Sequence, residues 1–406
     1  MNIPVSIRDF GAVPDGITDC TEPFRRAVEA GYGKAVVFPA GVYVSGPICL
    51  AGDTEYVLEA GCILRASERA RFVPIGYHHN EMADTTSFLW AIGAQNITIR
   101  GEGTIDFGAS QYYNRAASMC GGEMYQKNSA RLNQPMFFDH CRNVRVSGLR
   151  LINSPCWTLT FSESENITAE HLTIKNDPLI PNSDGIHFSA CRSGVVRGCT
   201  ISGGDDCIAL TCITKKDGCN RDITVNDCIL SSNSAGIRIG HNAEQIRMSD
   251  IRIVDANRGI GIFTANGTVI RDVELSDITM QTRPRGLCWW GNGDGIVIAA
   301  AQDNSRIEDV EVSRVSGNAG NGVIVYGNGH NVENVRLRDI CLSLSGEGNA
   351  YLDLRPYDAR KLSESHTAYI VSGTRNTWLE NVYIGHSGGY IECTDNENLS
   401  GEIRER

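Results

Sequence analysis

The strongest constraint on this chain is a repeat. Short strand-like segments return at intervals of about 23 to 28 residues. They read N-V-R-V-S-G-L-R-L from Asn143, N-I-T-A-E-H-L-T-I from Asn166 and G-V-V-R-G-C-T-I from Gly194. They continue as D-I-T-V-N-D-C-I-L from Asp222, Q-I-R-M-S-D-I-R-I from Gln245 and D-V-E-L-S-D-I-T-M from Asp272, with further copies from Asp309 and Asn334. Apolar and polar residues alternate within each segment, and Gly, Asn or Asp ends it. That is the period of a strand, not of a helix. One alternating strand cannot bury its apolar face alone, whereas stacked coils share a continuous core. A β-propeller needs blades of about 40 residues, so intervals this short favour an all-β parallel β-helix, a solenoid. The 406 residues are then expected to form a single domain: a capping region over about 1–70, groove-forming loops over about 71–135 and regular coils over about 136–390.

A second strand in each coil supplies a register. N-S-D-G-I-H-F from Asn182, G-D-D-C-I-A-L from Gly204 and N-S-A-G-I-R-I from Asn233 align on the small residue before the apolar pair. So do A-N-R-G-I-G-I from Ala256, N-G-D-G-I-V-I from Asn292 and G-N-G-V-I-V from Gly320. The preceding position then reads Asp184, Asp206, Ala235, Arg258, Asp294, Asn321. Ile186 and Phe188, Ile208 and Leu210, and their counterparts up to Val323 and Val325 are expected to face the core. His187, Ala209, Arg238, Gly261, Val297 and Ile324 are expected to face outward. Parallel strands lie about 4.8 Å apart, so Asp184 and Asp206 should be neighbours on the outer face, with Asp205 at the bend beside them. Three carboxylates so placed resist joint ionisation, and at least one pKa should rise. Such a cluster either binds a cation or holds a proton for catalysis.

Bulk properties narrow the partners. A net charge of −11 argues against nucleic acid and gives no reason to expect an anionic membrane. No stretch is long and apolar enough to cross a bilayer. The 15 cysteines include no C-x-x-C pair, so no metal site is assigned, and Cys199, Cys207, Cys228 and Cys341 read as buried thiols. Thiols without a recognisable secretion signal point to a cytoplasmic location. Two stretches break the repeat, Tyr77–Asp84 and Gln111–Pro135, and long loops on a solenoid usually serve a site. His78, His79 and Glu81 in the first read as a polar loop rather than a metal trio. The N-x-T triplets at Asn96, Asn166 and Asn266 read as turn chemistry.

The pattern N-S-D-G-I (Asn182 to Ile186) followed by G-D-D-C-I (Gly204 to Ile208) resembles glycoside hydrolase family 28, the polygalacturonases and their relatives. D-F-G-A-V-P-D-G-I-T-D from Asp9, F-P-A-G-V-Y from Phe38, G-E-G-T-I-D from Gly101, N-S-P-C-W-T from Asn153 and W-W-G-N-G-D from Trp289 carry the resemblance along most of the chain. It implies a right-handed β-helix of the pectin-lyase-like superfamily and inverting hydrolysis of an oligosaccharide or polysaccharide without a cofactor. Asp205 would be the general acid, with Asp184 and Asp206 activating water. The chain departs from the family twice. The family's G-H-G motif reads Ser234, Ala235, Gly236 here, and its R-I-K motif reads Gly261, Ile262, Phe263. Arg238 and Arg258 are expected to supply the lost positive charge to a sugar carboxylate. His187, Asn182, Trp290 and Tyr326 complete the expected substrate contacts. The substrate expected is pectin-related or another acidic oligosaccharide containing uronate or rhamnose. Two other readings stand beside it: a uronate lyase or epimerase using the acids with Ca²⁺, and a carbohydrate-binding β-helix without turnover.

Overall fold

The computed structural model describes residues 3–405 except 69–71, 73–74, 76–84, 120–121, 128–130, 213–216, 287, 349–350, 354–358, 362–365 and 386–387. His78, His79 and Glu81 therefore lie outside the described residues. The fold is a right-handed parallel β-helix, as the repeat requires. Its internal contacts divide it into two compact units: Met1–Gly204 with Ile213–Gly218, and Asp205–Cys212 with Cys219–Arg406.

In the first unit a short helix, α1 (Thr21–Ala30), buries Phe24, Ala27 and Val28. Phe24 meets Phe38 and Tyr43 edge-on, at 5.2 and 6.0 Å between ring centres. One face of the coils consists of parallel strands β1 (Leu89–Ile92), β2 (Met136–Asp139), β3 (Leu159–Ser162) and β4 (Ile186–Ser189). Their register stacks Phe138, Phe161 and Phe188 at 5.5 and 5.4 Å in the core. The repeat-breaking stretch from Gln111 contains an antiparallel hairpin, Tyr113–Met119 with Met124–Lys127.

The asparagine that opens so many repeats has a structural reason. Asn96, Asn143 and Asn166 occupy the left-handed region at φ 54°, 57° and 57°, which Asn tolerates better than most residues. Each side-chain amide donates to the preceding coil: Asn96 to Asp53 at 2.6 Å, Asn143 to Asn96 at 2.7 Å, Asn166 to Asn143 at 3.0 Å. The second unit repeats the ladder through Asp309, Asn334, Asn376 and Asn398.

In the second unit the corresponding face is β5 (Ile208–Thr211), β6 (Ala235–Gly240), β7 (Arg258–Phe263), β8 (Asp294–Ala300), β9 (Asn321–Gly327) and β10 (Thr367–Ser372). The expected register holds: Ile208, Ile237, Ile260, Ile296 and Val323 are successive partners, all fully buried. Each such side chain contributes about 1.5–3 kcal/mol of burial.

The outward positions differ from expectation. They alternate with the core as predicted, yet Ala209, Arg238, Val297 and Ile324 are buried too. Phe263, Val297, Ala299, Ile324 and Ile370 form a second apolar cluster, and Tyr326 and Tyr390 pack against it. The outer face of these strands is covered because it carries apolar side chains of its own. All 14 described cysteines are free thiols; Cys199, Cys207 and Cys228 are buried and Cys341 half-buried. No helix among the described residues is long and apolar enough to cross a membrane.

Candidate active site

Asp205 and Asp206 sit at the mouth of β5, in the second unit. Two adjacent acids are tolerable there because their surroundings treat them differently. The Asp206 carboxylate is buried and accepts from the Ala235 backbone N–H at 3.1 Å and from Arg238 Nη1 at 3.2 Å. Asp205 keeps partial exposure, its carbonyl accepts from Ser232 Oγ at 2.8 Å, and its Oδ1 accepts from the Asp206 N–H at 3.0 Å. Burial of its carboxyl, then the Asp206 charge, push its pKa up to about 7, against the opposing pull of Arg238 and Ser234. The expected rise of one carboxyl therefore falls on Asp205.

Arg238 and Arg258 were expected on the outer face, supplying positive charge to a sugar carboxylate. Both are buried in ion pairs. Arg238 is 6% exposed, ion-paired to Asp206, with its guanidinium 4.9 Å from the Trp290 ring centre. Arg258 is 2% exposed and donates from Nε to Asp294 Oδ2 at 3.1 Å. Asp294 Oδ1 accepts from Asn321 Nδ2 at 3.1 Å, and Asn321 Oδ1 accepts from the Thr367 N–H at 2.8 Å. The register column Arg258, Asp294, Asn321 is thus a buried polar ladder, closed by backbone at its far end. A buried guanidinium needs such a partner, which is why both arginines turn to the protein's own acids.

Gly261 shows what became of the lost cationic motif. A Cβ at this position would lie 2.4 Å from Phe263 Cε2 and 2.9 Å from Arg258 Cδ. The Arg258 guanidinium lies 4.6 Å from the Phe263 ring centre. The space above Gly261 is therefore filled by these two side chains.

Asp184, at the mouth of β4, belongs to the first unit. It is buried, and its Oδ2 lies 3.2 Å from His187 Nδ1. His187 was expected on an open face; it is fully buried, because the Trp157 ring stacks on it at 3.9 Å and 24°. Asn182 Oδ1 accepts from Arg131 Nη2 at 2.7 Å. Arg131 Nη1 also donates to the carbonyls of Pro155 at 3.1 Å and Pro181 at 2.9 Å, and to the Tyr113 hydroxyl. Burial works against the Arg131 charge, but Cys156, Tyr113 and Asp184 outweigh it, so its pKa rises.

The first unit thus brings together Asn182, Asp184 and His187. The second brings together Asp205, Asp206, Arg238 and Trp290. Trp290 and Tyr326 keep partial exposure, Tyr326 on the outer apolar cluster. Trp289 is buried, and both tryptophans lie in a bend rather than in a strand. Sequence reasoning missed Arg131, Trp157 and Asp294 as site residues. Each carried a signal: Arg131 lies in the repeat-breaking stretch, Trp157 in the N-S-P-C-W-T motif, and Asp294 in the register column of Arg258.

The family model for glycosyl hydrolases family 28 matches residues 34–355. The chain is 26% identical to a probable polygalacturonase of Vitis vinifera over 316 residues, covering 71% of this chain and 62% of the relative. It therefore spans about three-fifths of that relative's length. Among solved structures, a hyperthermoactive exopolygalacturonase from Thermotoga maritima superposes with a TM-score of 0.67 at 20% identity, covering 84% of this chain and 89% of the other. A family 28 exopolygalacturonase from Yersinia enterocolitica superposes at 0.70 and 17% identity, covering 98% and 78%. At such identities the superpositions speak for the fold alone.

Proposed function

Because the chain belongs to glycosyl hydrolases family 28, we propose that it is an inverting glycosidase acting on a pectin-related or other acidic oligosaccharide containing uronate or rhamnose. The observation that carries this reading is the Asp205–Asp206 pair. Of two adjacent carboxyls, Asp205 has its pKa raised to about 7 and Asp206 is paired with a cation, a division that suits an acid beside a base. Asp205 donates its proton to the glycosidic oxygen as the bond breaks. Asp206, as carboxylate, accepts a proton from the attacking water. The family motif assigns Asp184 a water-activating role too, and within its own unit it contacts His187. No cofactor is called for in these steps.

The substrate subsite is altered relative to the family. Arg238 and Arg258 act on the enzyme's own aspartates, so they are not the groups that hold a sugar carboxylate. Trp290 and Tyr326 are the candidates for sugar contact, since an indole or phenol face matches the apolar face of a pyranose. The lyase reading needed one of the two arginines as a proton-abstracting base, and both are committed to buried pairs.

A screen of pectic and other plant oligosaccharides with wild type and Asp205→Asn in parallel tests the proposal. The expected result is turnover by wild type only, with the first product of inverted anomeric configuration by NMR. Turnover that survives in the variant removes Asp205 as the acid. A retained anomer removes inversion, and an unsaturated, ultraviolet-absorbing product replaces hydrolysis by elimination.

A further inference from the structure

At the C-terminal ends of β2 and β3, in the first unit, three ligating side chains converge. Asp139 closes β2, and Ser162, its register partner, closes β3. The next residues, His140 and Glu163, turn the chain in the left-handed region at φ 50° and 44°. They are therefore stacked one coil apart. His140 Nδ1 lies 2.7 Å from Asp139 Oδ2, and its Nε2 lies 3.5 Å from Glu163 Oε2. One ligand atom from each of the three falls within 4.8 Å of the others. Glu163 is an uncommon choice for a left-handed turn; the neighbouring coils have Gly93 and Ala190 at that position.

Asp139 is the unusual member. It is 1% exposed, and its Oδ1 is buried without a hydrogen-bond partner. Burial pushes its carboxyl pKa up, with His140 and Ser162 pulling the other way. Among the described residues no lysine or arginine pairs with it. A buried carboxylate oxygen without a donor is costly unless something positive meets it. His140 is half-exposed, which leaves a path for a small ion.

We propose that Asp139, His140 and Glu163 form a binding site for one divalent cation of the zinc type. One imidazole nitrogen and two carboxylate oxygens make a mixed nitrogen–oxygen donor set, which suits Zn²⁺ and similar first-row ions. Mg²⁺ and Ca²⁺ prefer oxygen alone and more ligands. The two carboxylates now face opposite nitrogens of the ring, so the imidazole must turn to offer one nitrogen to an ion that both carboxylates reach; ligand atoms about 2.0–2.2 Å from one ion lie roughly 3–4 Å from each other, and the present atoms already fall within 4.8 Å. By holding two successive turns, the ion would stabilise the first unit.

The test is a titration of the metal-free protein with Zn²⁺ by calorimetry, with Mg²⁺ as control, on wild type, His140→Asn and Glu163→Gln. Asn keeps the left-handed turn, so the first variant should fold. The expected result is one Zn²⁺ equivalent in wild type whose affinity falls more than about tenfold in both variants. A Zn²⁺-dependent rise in melting temperature should disappear with it. Cysteine sites are told apart with Co²⁺, since nitrogen and oxygen ligands give no thiolate charge-transfer band. Equal Zn²⁺ binding in all three proteins overturns the proposal. So does the absence of binding in wild type, which would leave the trio as an ionic chain through a protonated His140, and so does a thiolate band on the equivalent that is lost.

Discussion

Replacing Asp205 by Asn should stabilise the protein, and increasingly so as pH rises. The Asp205 carboxyl is pushed up to about 7 from an ordinary 3.8. Between those values the folded chain holds a proton that the unfolded chain has released. Where the unfolded state binds fewer protons, stability falls as pH climbs. This contribution is intact below about pH 4, is lost progressively up to about 7, and levels off above that. Asn has nearly the same shape and cannot ionise. Its advantage over wild type should therefore grow by roughly 2–3 kcal/mol between pH 5 and pH 8. Urea denaturation of both proteins at the two pH values measures this. Activity should fall by about 10²–10⁴-fold in the same variant, as loss of a general acid does. A stability gap that stays constant within about 0.5 kcal/mol across the two pH values would refute the reasoning. It would mean that Asp205 is not a carboxyl held protonated at the expense of the fold.

Three other outcomes follow from the same geometry. Arg238→Gln removes the charge that lowers the Asp205 pKa, so the limb of the pH profile of kcat/KM set by Asp205 should move to higher pH; an unmoved limb would leave Arg238 without its electrostatic role. Arg258→Ala leaves Asp294 buried without its cation and should cost about 3–5 kcal/mol in a denaturation series, whereas a paired Arg258→Met, Asp294→Leu change should cost much less. Gly261→Arg puts the family's residue back into space filled by Phe263 and Arg258, so it should lower the melting temperature, by overpacking worth about 1–3 kcal/mol, rather than improve affinity for galacturonate.

The coil architecture was legible because it is a local property of the chain. Period-two alternation named the core positions, and one register carried Ile208 through Val323 without a slip. The same register aligned Arg258, Asp294 and Asn321, which the structure joins by hydrogen bonds. What alternation cannot tell is whether an outward position is wet. That depends on segments distant in sequence: Trp157 on His187, Trp290 beside Arg238, and Arg131 reaching Asn182 from the repeat-breaking stretch. Strand-face arginines at Arg238 and Arg258 look solvated until their cover and their acidic partners are placed.

That cover bears on the substrate. For Arg238 or Arg258 to hold a sugar carboxylate, it would have to leave a buried aspartate behind. Breaking such a pair costs about 3–5 kcal/mol. A charge-assisted hydrogen bond to the sugar returns about 1.5–3 kcal/mol. The exchange is unfavourable, and Gly261 and Phe263 offer no cation in their stead. A galacturonate at the subsite where the family places its R-I-K cations would therefore meet an apolar wall and two neutralised arginines. In the oligosaccharide screen, mixed uronate–rhamnose substrates should then be cleaved with a higher kcat/KM than plain oligogalacturonates of equal length. The reverse order, together with weakened KM for oligogalacturonate in Arg238→Gln, would show that the ion pair opens for substrate and that the balance above is wrong.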